Sequence, residues 1–222
     1  MHTRIPNFLT LLRLIAAPMV GLIYVLLPSP FADWIALGLF VGAALTDYLD
    51  GVLARRWNVV TAFGRMLDPI ADKAMVVIAL AVLAVRWNGY IPVMIPMILI
   101  LFREVFVSGL REFLGADAAR LQVTRLAKYK TAVQMLAITL LFGALLASHY
   151  LVMLTWGMDG AMVDEIMAGR VDDIYGLRLL EPLVNFTWWG GIAMLWLAAV
   201  LTVLSGIDYF VKALPYLKEP EA

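Results

Sequence analysis

Long apolar runs alternate along the chain with short polar connections. Six runs, 7–27, 34–53, 69–85, 91–113, 130–154 and 187–211, approach the roughly 20 residues that a helix needs to cross a bilayer core of about 30 Å. They lack the strict two-residue alternation of barrel strands, and a backbone in lipid must satisfy its own hydrogen bonds, so helices are expected. The pattern predicts an all-α polytopic integral membrane protein, one domain over residues 1–222 built as a six-transmembrane-helix bundle. The basic start at 1–13 is like that of a signal peptide, but the apolar run behind it is long and reaches Pro28-Ser29-Pro30 without a convincing cleavage site. It is read as the first spanning helix.

The polar connections set the orientation. With the N-terminus in the cytoplasm, all of the 17 Lys and Arg except Arg86, Arg170 and Arg178 fall on the cytoplasmic side. Basic residues are retained on that side of a membrane, so both termini are expected to be cytoplasmic and the protein to lie in the inner (cytoplasmic) membrane. The connection at about 155–186 is long and carries Asp159, Asp164, Glu165, Asp172, Asp173 and Glu181 against Arg170 and Arg178. It is expected to be an extracytoplasmic acidic loop. Residues 163–167 are mildly amphipathic, but a plain polar loop is preferred there over a surface helix.

Composition narrows the classes further. At 63% hydrophobic and 15% charged, with mean hydropathy +0.88, the chain is neither an ordinary soluble domain nor a disordered one. Its formal net charge of zero provides no basic field, and no nucleic-acid partner is expected. With no cysteine and only two histidines, carboxylates are the obvious metal ligands.

Asp47, Asp50, Asp68 and Asp72 stand in or at the ends of apolar segments, where a carboxylate costs at least a few kcal/mol unless it faces a cavity or a partner. Asp47 and Asp50 are three apart and Asp68 and Asp72 four apart, so each pair shares a helix face. Four convergent carboxylates suit hard divalent cations, Mg2+ or Mn2+, and two such ions can clamp a phosphoryl group. Gly51, Ala54 and Gly64 remove bulk where a ligand approaches, and Arg55 offers a fork that matches phosphate. The whole reads Asp-x2-Asp-Gly-x2-Ala-Arg-x8-Gly-x3-Asp-x3-Asp.

This segment, DYLDGVLARRWNVVTAFGRMLDPIAD, matches the signature of the CDP-alcohol phosphotransferase family at every fixed position and resembles that family closely. The resemblance implies a polytopic enzyme with a six-helix core that displaces CMP from a CDP-linked lipid by an alcohol. It implies that Asp47, Asp50, Asp68 and Asp72 hold two metal ions and that Asp72 is also the proton acceptor. It places Gly51, Arg55 and Thr61 against the nucleotide and its diphosphate, with Asn7 and Thr10 as a further wall. For Thr61, Asn7 and Thr10, helix capping is the structural alternative. A homodimer among membrane lipids is implied as well.

The acceptor must be read elsewhere. Arg103 lies within an apolar run, Arg111 eight residues later, and Lys128 and Lys130 open the fifth segment. Positive groups near the carboxylates suit an acceptor that carries a phosphate. Glu104 and Glu112 follow the two arginines directly, and Lys128 and Lys130 lie about 200° apart on a helix, so not all four can face one ligand. Arg120 and Arg125 read as anchors at the membrane surface. The stretches IPNFLTLLRLIAAP, FREVFVSGLRE, AKYKTAVQM and LTVLSGIDY also resemble the phosphatidylglycerophosphate synthase branch of the family, with Ala127 standing where that branch usually has glycine. This resemblance implies CDP-diacylglycerol as the donor and sn-glycerol 3-phosphate as the acceptor. A sister enzyme using inositol phosphate or serine is the nearest alternative. A cation transporter is a remote one, because neither repeated halves nor paired broken helices are visible. His2 and His149 read as solvated or interfacial, Trp87, Trp156, Trp188 and Trp189 as an outer aromatic belt, and Gly190-Gly191 as a place for close helix packing.

Overall fold

A computed structural model describes residues 4–57, 62–115 and 125–217. Each long apolar run becomes a helix. The order is α1 (Arg4–Leu26), α2 (Phe31–Trp57), α3 (Ala62–Arg86), α4 (Ile91–Leu114), α5 (Arg125–Leu154), α6 (Gly160–Met167) and α7 (Leu177–Leu217). Among the described residues, four stretches are long and apolar enough to cross a membrane: Asn7–Leu26, Ile91–Leu114, Tyr129–Leu154 and Leu177–Leu217. α2 and α3 have 27 and 25 residues and are of comparable length, but they carry the ionisable residues of the signature.

α1 packs against both α2 and α3, α7 runs beside α4 and α5, and α5 closes the contact to α2 and α3. The core joins all of them, from Ala17 and Val20 on α1 through Phe40, Leu80 and Ile100 to Phe142 and Leu195, with the Phe40 and Phe142 rings 5.9 Å apart. Small residues set how closely the helices approach. A Cβ on Gly191 would lie 2.9 Å from Leu141 Cγ and 3.3 Å from its backbone nitrogen, so α5 and α7 touch there backbone to backbone. A Cβ on Gly190 would make only an ordinary contact, 3.7 Å from Leu140 Cδ1.

The far ends of α1, α2 and α3 are tied by an ion pair. Asp33, in the first turn of α2 and 0% exposed, lies 3.7 Å from an Arg86 nitrogen, and the Arg86 guanidinium stands 5.2 Å from the Tyr24 ring centroid. Trp87 and Tyr90 meet Trp188 here, with ring centroids 4.2 and 5.6 Å apart, and the Trp189 ring lies 6.5 Å from that of Trp188, so three of the four expected belt tryptophans form one cluster. The turn from α3 to α4 passes through Asn88 and Gly89, at φ 50° and 66°, a left-handed pair that glycine and asparagine tolerate.

The segment expected as a plain acidic loop is more structured than that. Its acids act as caps: Asp159 accepts from the Met162 amide at 2.7 Å and starts α6, and Asp173 accepts from the Leu177 and Arg178 amides at 2.8 and 2.9 Å. These amides hold the Asp173 carboxyl below the usual carboxylate range. Arg178 donates to the carbonyls of Ile166 and Val171, each at 2.7 Å, and so pins α6 to the start of α7. α7 therefore begins ten residues before the expected boundary and runs for 41 residues, about 60 Å.

Candidate active site

α1 brings Thr10 and Arg13 onto one face, since they are three positions apart, and α3 does the same for Asp68 and Asp72, four apart. The two faces meet beside Asp47 of α2. Thr10 Oγ1 donates to Asp68 Oδ1 at 2.6 Å. One guanidinium nitrogen of Arg13 donates to Oδ1 of Asp47 and to Oδ1 of Asp72. Thr10 and Arg13 are each 2% exposed, whereas the Asp47 and Asp72 side chains are 45% and 50% exposed. The cation thus lies beneath and the carboxylates open outward. They open onto a cleft of about 380 Å³ whose walls include Ala43 and Ala44 of α2, Val76 of α3 and Thr131 and Met135 of α5. Its lining is mostly apolar, a surface suited to an acyl chain, with the charged groups at one end.

Two of the four sequence-predicted aspartates, Asp47 and Asp72, converge on a single point, and Asp68 is oriented by Thr10. Among the described residues no group of three or more Asp, Glu, His or Cys side chains is placed to hold a metal ion. Asp50 belongs to α2, but its side chain lies outside the described residues, as do those of Gly51, Ala54 and Arg55. Thr61 lies outside them altogether, and Gly64 is half-buried near the start of α3. Asn7 and Thr10 both sit inside α1, and Thr10 spends its hydroxyl on Asp68 rather than on a cap. The donor set at Asp47 and Asp72 is all oxygen and already gathers around one cationic nitrogen. Hard divalent ions favour that chemistry, so the residues present fit such a metal.

Arg13 is the site residue that the sequence reading missed. It sits among the basic residues of the N-terminal segment, which the positive-inside bias already accounts for. Its spacing from Thr10 was the available signal.

A second polar cluster stands beside the first. Glu104 of α4 accepts from Lys130 Nζ of α5 and, at 3.4 Å, from an Arg103 nitrogen, while the other terminal nitrogen of Arg103 donates to Ser205 Oγ of α7 at 3.2 Å. Lys73, the residue after Asp72, donates to Ser108 Oγ, which in turn donates to the Glu104 carbonyl. Glu104 therefore links its neighbour Arg103 to Lys130, which lies 26 residues beyond Glu104 in sequence. Lys130 is also the neighbour of Thr131, which lines the cleft. Arg111 does not join this network. It is exposed, eight residues or about 12 Å further along α4, with its Nε donating to Tyr209 Oη at 3.3 Å. The Lys128 side chain lies outside the described residues.

Comparison with known proteins identifies the family. Residues 3–162 match the family model described as CDP-alcohol phosphatidyltransferase, a span that includes all four aspartates, Thr10 and Arg13. The chain is 50% identical over 221 residues, 99% of both chains, to the CDP-diacylglycerol–glycerol-3-phosphate 3-phosphatidyltransferase of Cereibacter sphaeroides. It is 35% identical to the Rickettsia bellii protein of that name over 206 residues, 93% of both chains. With the Haemophilus influenzae protein of the same name it shares 41% identity over 140 residues, 62% of this chain and 75% of the other. Signature, convergent carboxylates and full-length similarity agree, and the chain belongs to the CDP-alcohol phosphatidyltransferase family.

Proposed function

We propose that this protein transfers the phosphatidyl group of CDP-diacylglycerol to sn-glycerol 3-phosphate, giving phosphatidylglycerophosphate and CMP. The observation that carries the reading is the convergence of Asp47 and Asp72 at one end of an apolar cleft, inside the segment shared with the family. The names of the relatives support the choice of acceptor.

Asp72 takes the proton of the acceptor's primary hydroxyl. That oxygen forms a bond to the phosphorus bearing diacylglycerol, and the bond from this phosphorus to the oxygen of CMP breaks. Two Mg2+ or Mn2+ ions held by Asp47, Asp50, Asp68 and Asp72 would supply charge neutralisation around the phosphoryl group. Thr10 keeps Asp68 aimed, and Arg13 holds Asp47 and Asp72 together from beneath. Asn7, Thr10, Gly51, Ala54, Arg55, Thr61 and Gly64 form the CDP-diacylglycerol side of the site. Arg103, Arg111 and one of Lys128 and Lys130 receive the acceptor's phosphate through charge-assisted hydrogen bonds.

The same reading places α2 and α3 across the bilayer with the four apolar spans. Both termini and the aspartate end of the bundle then face the cytoplasm, where soluble glycerol 3-phosphate is found. The protein is read as a homodimer in the inner membrane.

Replacing Asp47, Asp50 or Asp68 by Asn is expected to abolish turnover and to weaken Mn2+ binding in a calorimetric titration. Asp72→Asn also removes the base, so excess metal does not restore its rate. Unchanged Mn2+ affinity in the first three variants would contradict the assignment.

A further inference from the structure

Arg103 and Arg111 leave α4 about two turns apart, and both are held by one face of α7. Thr202, Ser205, Gly206, Tyr209 and Ala213 recur there at steps of one to four residues, and all are buried. Ser205 Oγ donates to the Thr202 carbonyl at 2.9 Å, which commits its proton. Toward Arg103 the hydroxyl oxygen can only accept, and Arg103 donates to it at 3.2 Å. At Gly206 an added Cβ would stand 2.9 Å from Arg103 Cγ. The arginine stem therefore lies in a notch that exists because residue 206 has no side chain. One turn on, Tyr209 accepts from Arg111 at 3.3 Å, and its ring centroid lies 5.3 Å from the guanidinium carbon.

A guanidinium serves a phosphate best from a fixed orientation, because its planar fork donates two parallel bonds. A long side chain left free loses rotamer entropy when it binds, and one already seated loses less. The family match ends at residue 162, before α7 begins at Leu177, while all four aspartates lie within the match. The shared chemistry and the seat of the two arginines thus belong to different parts of the chain.

We infer that Ser205, Gly206 and Tyr209 are positioning residues that aim Arg103 and Arg111 at the acceptor's phosphate, so that α7 is a determinant of acceptor choice. This rests on the reading of the two arginines as phosphate-binding groups. The notch acts on one substrate and not on the other: it touches neither the carboxylates nor the cleft that faces CDP-diacylglycerol.

The test is steady-state kinetics of the full-length enzyme, with glycerol 3-phosphate and CDP-diacylglycerol varied in turn. The variants are Ser205→Ala, Gly206→Ala, Tyr209→Phe, Arg103→Ala and the Arg103→Ala/Gly206→Ala double variant. Losing an oriented charge-assisted contact corresponds to about a tenfold effect or more. Ser205→Ala and Gly206→Ala are expected to raise KM for glycerol 3-phosphate by several-fold to about tenfold, with KM for CDP-diacylglycerol unchanged, and Tyr209→Phe is expected to do the same less strongly. In the Arg103→Ala background, Gly206→Ala is expected to add nothing, because the side chain it displaces is gone. If Gly206→Ala does not fold, Ser205→Ala, which deletes one hydroxyl, decides. A rise in KM with Arg103→Ala but not with the α7 variants overturns the inference, and so does a loss confined to kcat. Native KM in Arg103→Ala overturns instead the phosphate-binding reading beneath it.

Discussion

Arg13→Met removes the cation that bridges Asp47 and Asp72 while keeping most of the buried stem. The guanidinium is 2% exposed and the two carboxylates 45% and 50%, so the bonds lie between two regimes. Buried charge-assisted hydrogen bonds contribute about 1.5 to 3 kcal/mol each, and exposed ion pairs about 0.2 to 1. Discounting for the half-exposed carboxylates gives about 1 kcal/mol for each, or about 2 kcal/mol for the pair. For a chain of 222 residues, that corresponds to a fall in Tm of about 4 to 8 °C. The effect on turnover is expected to be larger, about a hundredfold, because the two carboxylates lose their common orientation. Arg13→Lys keeps the charge but not the fork and is expected to recover part of the stability and less of the rate. Thermal unfolding in detergent micelles, followed by tryptophan fluorescence, gives the first quantity, and CMP release gives the second. An Arg13→Met variant with native Tm and native turnover would refute the bridge.

Two further outcomes follow from the same geometry. Lys130→Ala is expected to raise KM for glycerol 3-phosphate about tenfold or more, whereas Lys128→Ala, about 200° away around α5, is expected to leave it near the native value; equal effects in the two variants would contradict the assignment. Because the chain has no native cysteine, single cysteines at Ser29 and Asp172 are expected to label with an impermeant thiol reagent in intact cells, and one at Arg120 is not; reversed labelling would overturn the proposed orientation.

The helices were legible because lipid leaves a spanning backbone few options, and runs such as 91–113 and 130–154 reappear as α4 and α5 with small shifts at their ends. The polar ends were not, since α2 continues to Trp57 and α7 begins at Leu177, through charged turns that hydropathy reads as loop. At α6 the sequence favours a plain loop over the amphipathic helix weighed for 163–167 for a related reason: Asp159 and Asp173 look like solvated charge in sequence but are caps in space. At the site, aspartates in apolar segments stood out because burial demands an explanation for each. Arg13 did not, since a basic residue near the N-terminus already had one. Glu104 could be seen only as the neighbour of Arg103; its bond to Lys130 joins two helices, and no periodicity along either one reports it.

The central claim is the transfer of a phosphatidyl group to a phosphorylated three-carbon alcohol. Its most direct test is CMP release from CDP-diacylglycerol by the purified protein, with glycerol 3-phosphate, inositol phosphate, serine or no acceptor present. Release is expected with glycerol 3-phosphate, accompanied by phosphatidylglycerophosphate in equal amount, with background rates in the other three arms. Release that is fastest with inositol phosphate or serine, or that is independent of any acceptor, would contradict it.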